Sequence, residues 1–358
     1  MRGAPLLLSC VHVVKSARPE CTGICQIIAS LEKHTKSQGY EVSVLFLDDG
    51  PLKAQMVDLG IPASVIPWKG TRSDVRGAAG VLRWLRKRPI EILHLHWGSR
   101  MVRAIGRLGG AGVIIQHAHG RVDEVNGSIP QRIRFPWVNA VVACSEVIAG
   151  CVEGHQPEVI YAGVETNPTP SSLMTHVGPL RIGTLSRLTL VKNLEMLISA
   201  IARLKSLGID IRADIAGSGP SESELHSAVD RLALADRVHF LGWREDISDL
   251  LSSWDLLVMP SLDEGFPIAV LQAMAEARPV VASKVGGLTE LVVDGLTGRL
   301  IPSGDLDALV QCIAELANNR RALAEMGKEG WERVRLEFSP EHMARQMTRL
   351  YDNLLNRG

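Results

Sequence analysis

No stretch of this chain reaches the roughly 18 consecutive apolar residues that a membrane span requires. The apolar run nearest the N-terminus, PLLLSCVHVV, lacks a small-residue cleavage site and reads as a buried first strand rather than a secretory leader. A cytoplasmic protein is expected, soluble or peripheral on the inner face of the membrane. Paired CxxC spacing is also missing. The six cysteines, Cys10, Cys21, Cys25, Cys144, Cys151 and Cys312, are scattered, and no nearby Cys/His pair completes a zinc site around Cys21 and Cys25. They read as reduced, partly buried thiols, and no metal site is expected. There is neither a Walker A motif nor GxGxxG, which leaves an NTPase or a nicotinamide enzyme without support. Net charge is absent too, at +0, so no bulk field draws the chain to nucleic acid, and no nucleic-acid-binding motif accompanies its basic residues.

The zero hides an asymmetry. Residues 1–165 carry nineteen Lys/Arg against fourteen Asp/Glu, which leaves twenty against twenty-five in the rest. The basic excess gathers in RWLRKRP (83–89), in Arg100, Arg103 and Arg107 at helical spacing, and in QRIRFPW (131–137). Solvated helix faces are the plain reading. Basic residues interleaved with Trp and Phe also suit weak contact with an anionic membrane or a phosphorylated acceptor.

A chain of 358 residues is long for one core and comfortable for two domains. Apolar runs at LLLSCVHVV, EVSVLFL, EILHLHW, VIIQHA and AVVACS alternate with helix-length amphipathic segments, which argues for a parallel sheet covered on both faces. The alternation pauses at 166–179, rich in Pro, Ser and Thr, and restarts at LRIGTL. The expected organisation is an N-terminal domain over 1–165, a linker over 166–179, and a second doubly wound domain over 180–338. A C-terminal helix over 339–358, opened by Ser339 and Pro340, is expected to pack back on the N-terminal domain.

In doubly wound folds ligands sit outside the carboxyl ends of the strands. Three such ends in the second half share a character. LRIGTL is followed by Ser186-Arg187 and then Lys192-Asn193. IRADIA is followed by Gly217-Ser218-Gly219-Pro220. DLLVMP is followed by Ser261 and then Asp263-Glu264-Gly265-Phe266-Pro267. An Arg and a Lys five apart can flank one phosphate cluster, and helix N-termini add backbone N–H donors. Gly-Ser-Gly lets main chain approach a ligand closely. Together they read as a diphosphate site with a carboxylate at hand for hydroxyl groups, although Glu264 alone could be an acid favoured by a helix dipole. Asp305-Leu-Asp307 follows a Pro-Ser-Gly turn and reads as a helix start rather than a metal ligand pair.

At these residues the second half resembles the retaining, nucleotide-sugar-dependent glycosyltransferases of family 4, whose GT-B fold sets two Rossmann-like doubly wound domains facing across a cleft. GTLSRLTLVKNLEMLISA, ADIAGSGP, VHFLGW, DLLVMPSLDEGFPIAVLQAMAEARPVVAS and GGLTELVVDGLTGRLIP occur in the family's order over about 180–303. The first half matches more loosely, through EILHLHWG, HAHG, VVACSEVI and VIYAGVE. The resemblance implies a nucleotide-sugar donor, a glycan, lipid-linked or small-molecule acceptor, and no cofactor or required metal. It implies that Arg187 and Lys192 hold the donor diphosphate and stabilise it as it leaves. It places Glu264 on sugar hydroxyls, with the backbone of Gly265, Phe266 and Pro267 under the sugar. Gly217 and Gly219 fall in the donor-binding loop, Leu271 and Gln272 at helix positions facing the nucleoside. His119 matches a histidine that points at the sugar, with His117 the less favoured alternative. Gly23 falls in the first glycine-bearing loop, where the family's Gly-Gly is here Thr22-Gly23.

Catalysis of this kind needs cations placed where negative charge builds on the departing phosphate. No Asp/Glu pair suits double displacement, which needs two carboxylates about 5 Å apart, so the reading is front-face transfer by a retaining hexosyltransferase of polysaccharide biosynthesis. Gln272 replaces the family's second acid and Ala277 a usual glycine. Gln272 motivates an alternative, a catalytically reduced nucleotide-sugar-binding or scaffold protein of glycan assembly. A GT-B phosphorylase or nucleotide-sugar epimerase is a third.

Overall fold

Ile92–Leu95 and Val113–Ala118 are buried at every position, the pattern of strands covered on both faces of a parallel sheet. The computed structural model describes residues 7–71, 73–96, 99–120, 133–169 and 178–356. It divides into two units: the chain up to Gly163 together with the helix from Pro340 onward, and the chain from Val164 to Ser339. Most of the Pro/Ser/Thr-rich segment at 166–179, residues 170–177, lies outside the described residues, as do Gln131 and Arg132.

The first unit holds β1 (Leu8–Val14), β2 (Tyr40–Phe46), β3 (Ala63–Val65), β4 (Ile92–Leu95), β5 (Val113–Ala118), a short pair β6 (Ile133–Arg134) and β8 (Val152–Glu153), β7 (Ala140–Ala143) and β9 (Glu158–Val159). Its main sheet runs β3-β2-β1-β4-β5-β7-β9, all parallel. The helices are α1 (Thr22–Thr35), α2 (Leu52–Asp58), α3 (Val75–Leu85), α4 (Arg100–Leu108) and α5 (Glu146–Ala149). On one sheet face Val11, Val13, Leu93, Leu95 and Ile114 pack with Val81, Leu85, Val102 and Ile105 of α3 and α4. Strand alternation puts His12 and His94 on the other face. The last helix of the chain, Pro340–Leu355, reaches that side: Tyr351 Oη meets His94 Nδ1 at 2.7 Å, and Tyr40 donates to Asp352.

The basic stripe read from Arg100, Arg103 and Arg107 is broken. Arg103 is buried, its guanidinium donating to Gln116 and lying over the Phe135 ring, because it falls on the inward face of α4. Arg83, Arg86, Lys87 and Arg88 remain exposed. All six cysteines are buried and none forms a disulfide.

The second unit repeats the design with β10 (Leu180–Leu185), β11 (Ile211–Ala216), β12 (Val238–Gly242), β13 (Leu256–Met259), β14 (Val280–Ser283) and β15 (Gly298–Ile301), in the order β12-β11-β10-β13-β14-β15. Between them run α6 (Leu194–Ser206), α7 (Glu222–Arg231), α8 (Ile247–Ser252), α9 (Ile268–Ala275), α10 (Leu288–Leu291), α11 (Leu306–Ala317) and α12 (Arg320–Glu337), before α13 (Pro340–Leu355) of the first unit. The order turns about β10, with β11 on one side and β13 on the other, so the topological switch point lies between β10 and β13. Asp305 caps α11 by accepting from Ala308 N–H at 2.9 Å, and Asp307 pairs with Arg203.

Helix α9 ends in a Schellman motif, with Arg278 N–H bonded to Ala273 C=O and Ala277 N–H to Met274 C=O. The motif needs a left-handed residue at its turn, and Ala277 takes it, at φ +56°. Glycine carries no Cβ penalty there. Ala277→Gly should therefore leave the fold intact and stabilise the protein by about 0.5–1 kcal/mol, net of the extra freedom of the unfolded glycine. Urea titration checks this; a lower midpoint in the variant would contradict it.

Candidate functional site

The loops that leave β10, β11, β13 and β14 are tied to one another at the carboxyl end of the second sheet. Leu262 N–H bonds Val191 C=O, Leu188 N–H bonds Ser218 C=O and Gly287 N–H bonds Glu264 C=O. Asn193, left-handed at φ +52°, separates the single turn Leu190–Lys192 from α6, and its side chain donates to Pro260 C=O. These bonds bring Lys192 and Glu264 together from 72 positions apart.

Lys192 Nζ donates to both oxygens of Glu264, at 2.7 and 2.8 Å. Ser261 Oγ donates to Glu264 Oε1 at 2.7 Å. Lys192 keeps 19% of its side chain exposed and Glu264 only 6%, so this pair is largely withdrawn from water. A pair in that state is kept by its mutual charge and hydrogen bonds, and losing one partner would strand the other. Glu264 lies ahead of α9, and its acceptor bonds go to side chains rather than to that helix's N–H groups. Arg187, at the end of β10, is different: it is exposed, with no ion pair or side-chain hydrogen bond among the described residues. The charges of Lys192 and Glu264 cancel locally. Arg187 therefore supplies the uncompensated positive charge in the loop after β10.

The glycines serve the loops themselves. Gly217, at φ +129°, has no room for a Cβ against Ser186 C=O, and Gly219 none against Leu188 C=O. Their close approach is thus to neighbouring main chain. Gly286, at φ +48°, is pressed on Glu264 C=O and Gly287 on Gly265 C=O; these two glycines and Ser261 hold the acid in place, and the sequence reading passed over that function. Phe266 is buried and meets Phe338, with ring centroids 5.8 Å apart. Gly265 and Pro267 are half-buried beside it. On α9 the two expected nucleoside-facing residues part company. Leu271 is completely buried and belongs to the core, because this helix is apolar around most of its circumference, while Gln272 is half-buried. Leu271 therefore anchors the helix and presents no side-chain surface.

In the first unit Gly23 stands in the first turn of α1, not in a loop, because the chain tightens over Pro19–Cys21 and Thr22 Oγ1 donates to Pro19 C=O. His119 follows β5 and is half-buried. It does not stand alone. His12, His94, His96, His117 and His119 gather at the carboxyl ends of β1, β4 and β5. His12 Nδ1 lies 2.8 Å from His96 Nε2, and His96 Nδ1 lies 2.7 Å from His119 Nε2. His117 stacks on His119 with ring centroids 4.1 Å apart. Neither ring nitrogen of His117 has a partner among the described residues, nor does His94 Nε2.

Burial drives every one of these imidazoles toward the neutral form. His119 is lowered to about 4 and His12 to about 3, with desolvation the cause of both. His94, His96 and His117 lie well below the usual histidine value, by desolvation first and then by mutual repulsion. Two triplets, His12/His94/His96 and His96/His117/His119, have nitrogens within 4.8 Å of one another. Proximity of that kind could serve a metal, but the touching nitrogens are closer than the roughly 3.3 Å that separates two ligands of a tetrahedral zinc ion with bonds of about 2.0 Å. The signal in the sequence is the period-two spacing of His94/His96 and His117/His119, together with His12 in the first strand.

Both halves of the chain match known families. Residues 22–166 match the family described as "Glycosyl transferase 4-like domain" and residues 179–319 the family described as "Glycosyl transferases group 1". The lipopolysaccharide core biosynthesis mannosyltransferase LpsB of Rhizobium meliloti is 35% identical over 96% of this chain and 97% of its own. The putative colanic acid biosynthesis glycosyltransferase WcaL of Escherichia coli is 31% identical over 53% of this chain and 49% of its own. Among solved structures, Anabaena HepE in complex with UDP-glucose superposes with a TM-score of 0.81 at 21% identity, over 97% of this chain and 100% of that one.

Proposed function

Since the chain belongs to the group 1 glycosyltransferases, with a glycosyltransferase 4-like first half, we propose that it moves a hexose or N-acetylhexosamine from a nucleotide sugar to a glycan, lipid-linked or small-molecule acceptor, with retention of configuration. The observation that carries this reading is the pairing of Lys192 with Glu264, with Arg187 exposed in the same loop as Lys192 and without an ion pair among the described residues, at the strand ends where doubly wound sheets bind ligands. Mannosyl transfer in lipopolysaccharide core assembly is what the R. meliloti relative is named for, and this chain's product is proposed to be a cell-surface polysaccharide or its lipid-linked precursor. The enzyme works at the cytoplasmic face in this reading.

The bond between the anomeric carbon and the diphosphate breaks, and charge collects on the departing phosphate. Arg187 meets that charge first, having no ion pair among the described residues. Lys192 shares its ammonium between Glu264 and the phosphate. Glu264, already oriented by Ser261 and Lys192, keeps one lone pair on Oε2 for a sugar hydroxyl. His119 hydrogen-bonds the sugar. The acceptor oxygen attacks from the side the phosphate is leaving, and a phosphate oxygen takes its proton. Charge on the phosphate is met by protein cations, so no metal is assigned a step.

Incubating the protein with UDP-, GDP-, ADP- and dTDP-sugars and an acceptor panel, then reading products by mass spectrometry and the new anomeric centre by NMR, tests the proposal. Inverted configuration would refute the front-face mechanism, and no transfer or donor hydrolysis with any donor would refute the activity.

Gln272 is assigned to a ribose hydroxyl, where an amide accepts a weaker hydrogen bond than a carboxylate. Gln272→Glu should lower the donor KM by about five-fold, the equivalent of about 1 kcal/mol, with kcat little changed. An unaltered KM would remove Gln272 from the ribose.

A further inference from the structure

We propose that Cys10, His12 and His96 form a polarised hydrogen-bond chain that holds His119 in one tautomer, with Nδ1–H turned outward as a donor. The proposal rests on the placement of His119 at the donor sugar and adds three positioning residues to it.

The geometry is that of a ribbon. Ring centroids of His12 and His96 are 5.1 Å apart at an interplanar angle of 24°, and those of His96 and His119 are 5.0 Å apart at 18°. Each separation is close to the N···N distance of 2.8 or 2.7 Å plus two ring radii. The imidazoles therefore meet edge to edge, nearly coplanar, with lone pair facing N–H. At the inner end Cys10 Sγ lies 3.5 Å from His12 Nε2.

A neutral imidazole carries one N–H, so it donates at one nitrogen and accepts at the other. The rings are kept neutral by burial. Once one member of such a chain is assigned, every other follows. The thiol decides the sense. Cys10 stays protonated, its pKa raised to about 12 by burial, and sulfur is a weak acceptor. Its S–H therefore points to His12 Nε2. Tyr351 turns its hydroxyl to His94 Nδ1, 2.7 Å away, a better acceptor than the thiol. His12 then donates from Nδ1 to His96 Nε2, and His96 from Nδ1 to His119 Nε2. His119 is left with Nδ1–H, the ring nitrogen that has no partner among the described residues. The opposite sense would end on N–H···S and turn an acceptor outward.

The test uses the full chain, labelled with 15N-histidine, in two-bond 1H–15N correlation spectra. His119→Gln identifies the His119 signals. The wild type should show His12, His96 and His119 as Nδ1–H tautomers. Cys10→Ser, which keeps an O–H donor, should preserve the pattern; Cys10→Ala and His12→Phe should mix the tautomers of His96 and His119. Donor KM should rise roughly ten-fold in Cys10→Ala and His12→Phe, and less in Cys10→Ser. A packing role alone reverses the serine–alanine order, since alanine suits a buried apolar place better than serine. The chain is overturned by an Nε2–H or mixed His119 in the wild type, by unchanged tautomers in Cys10→Ala, or by one equivalent of zinc in the purified protein. If tautomers shift as described while KM does not move, the chain stands and the placement of His119 at the sugar falls.

Discussion

Arg187→Ala should reduce sugar transfer by about 10²–10³-fold, the cost of removing one preorganised group from a developing negative charge, and leave stability within about 0.5 kcal/mol of the parent. The side chain is exposed and makes no ion pair among the described residues, so nothing in the fold depends on it. Lys192→Ala should lose a similar factor in turnover for a different mixture of reasons. It removes a cation from the phosphate and also leaves the Glu264 carboxylate, 6% exposed, without the ammonium that accounts for two of its three side-chain hydrogen bonds. Breaking a withdrawn ion pair from one side costs about 3 kcal/mol, so this variant should also unfold at lower urea. Steady-state kinetics with the best donor, alongside urea titration of both variants, separates the two. Full transfer in both would sink the assignment of the leaving-group site, and equal stability losses would show that Arg187 has structural work to do.

The second large effect is acid sensitivity. Five histidines are held neutral in the first unit, with His119 lowered to about 4 and His12 to about 3 by desolvation and the other three also well below the ordinary value. Their pKa is depressed in the folded state, so the unfolded chain binds protons first as pH falls. The stability tied to them is complete above the unfolded value of about 6.5. It is lost as pH drops from there toward the folded values. Between pH 7.5 and 5.5 each such histidine contributes a loss of up to about 1.4 kcal/mol. Five together give about 7 kcal/mol at most. A typical domain has only about 5–15 kcal/mol in total. Urea midpoints followed by circular dichroism at the two pH values should therefore fall sharply, and His12→Phe should flatten the dependence by about half a proton on average over this range. A midpoint that stays constant or rises on acidification would contradict the burial of the cluster.

The residues behind these two effects were unequally legible in the sequence. Arg187, Lys192 and Glu264 sit in short loops at the ends of apolar strands, and their positions follow from local spacing: a strand, a few residues, a helix. Loops anchored by strand ends in a parallel sheet have few places to go, so the resemblance to a known family could be carried residue by residue. What spacing left open was pairing. Lys192 and Glu264 read as separate groups until hydrogen bonds between loops 72 positions apart joined them. Gly217 and Gly219 read as room for a ligand, but their missing Cβ atoms make room for the neighbouring loop. Leu271 and Arg103 were misplaced for a common reason: helical position alone does not say which face a packed helix turns inward.

The sequence by itself determined two α/β units and set Arg187, Lys192 and Glu264 in the loops after strands of the second, because periodicity, turn residues and loop length are local properties of the chain. The tertiary structure decided the histidine cluster. His12 and His96 touch across 84 positions only because β1 lies beside β4 in one particular register, and register is fixed by which face of the strand the whole sheet buries. It likewise decided that Glu264 is already engaged by Lys192 and Ser261, since burial and hydrogen-bond partners are properties of assembled neighbours.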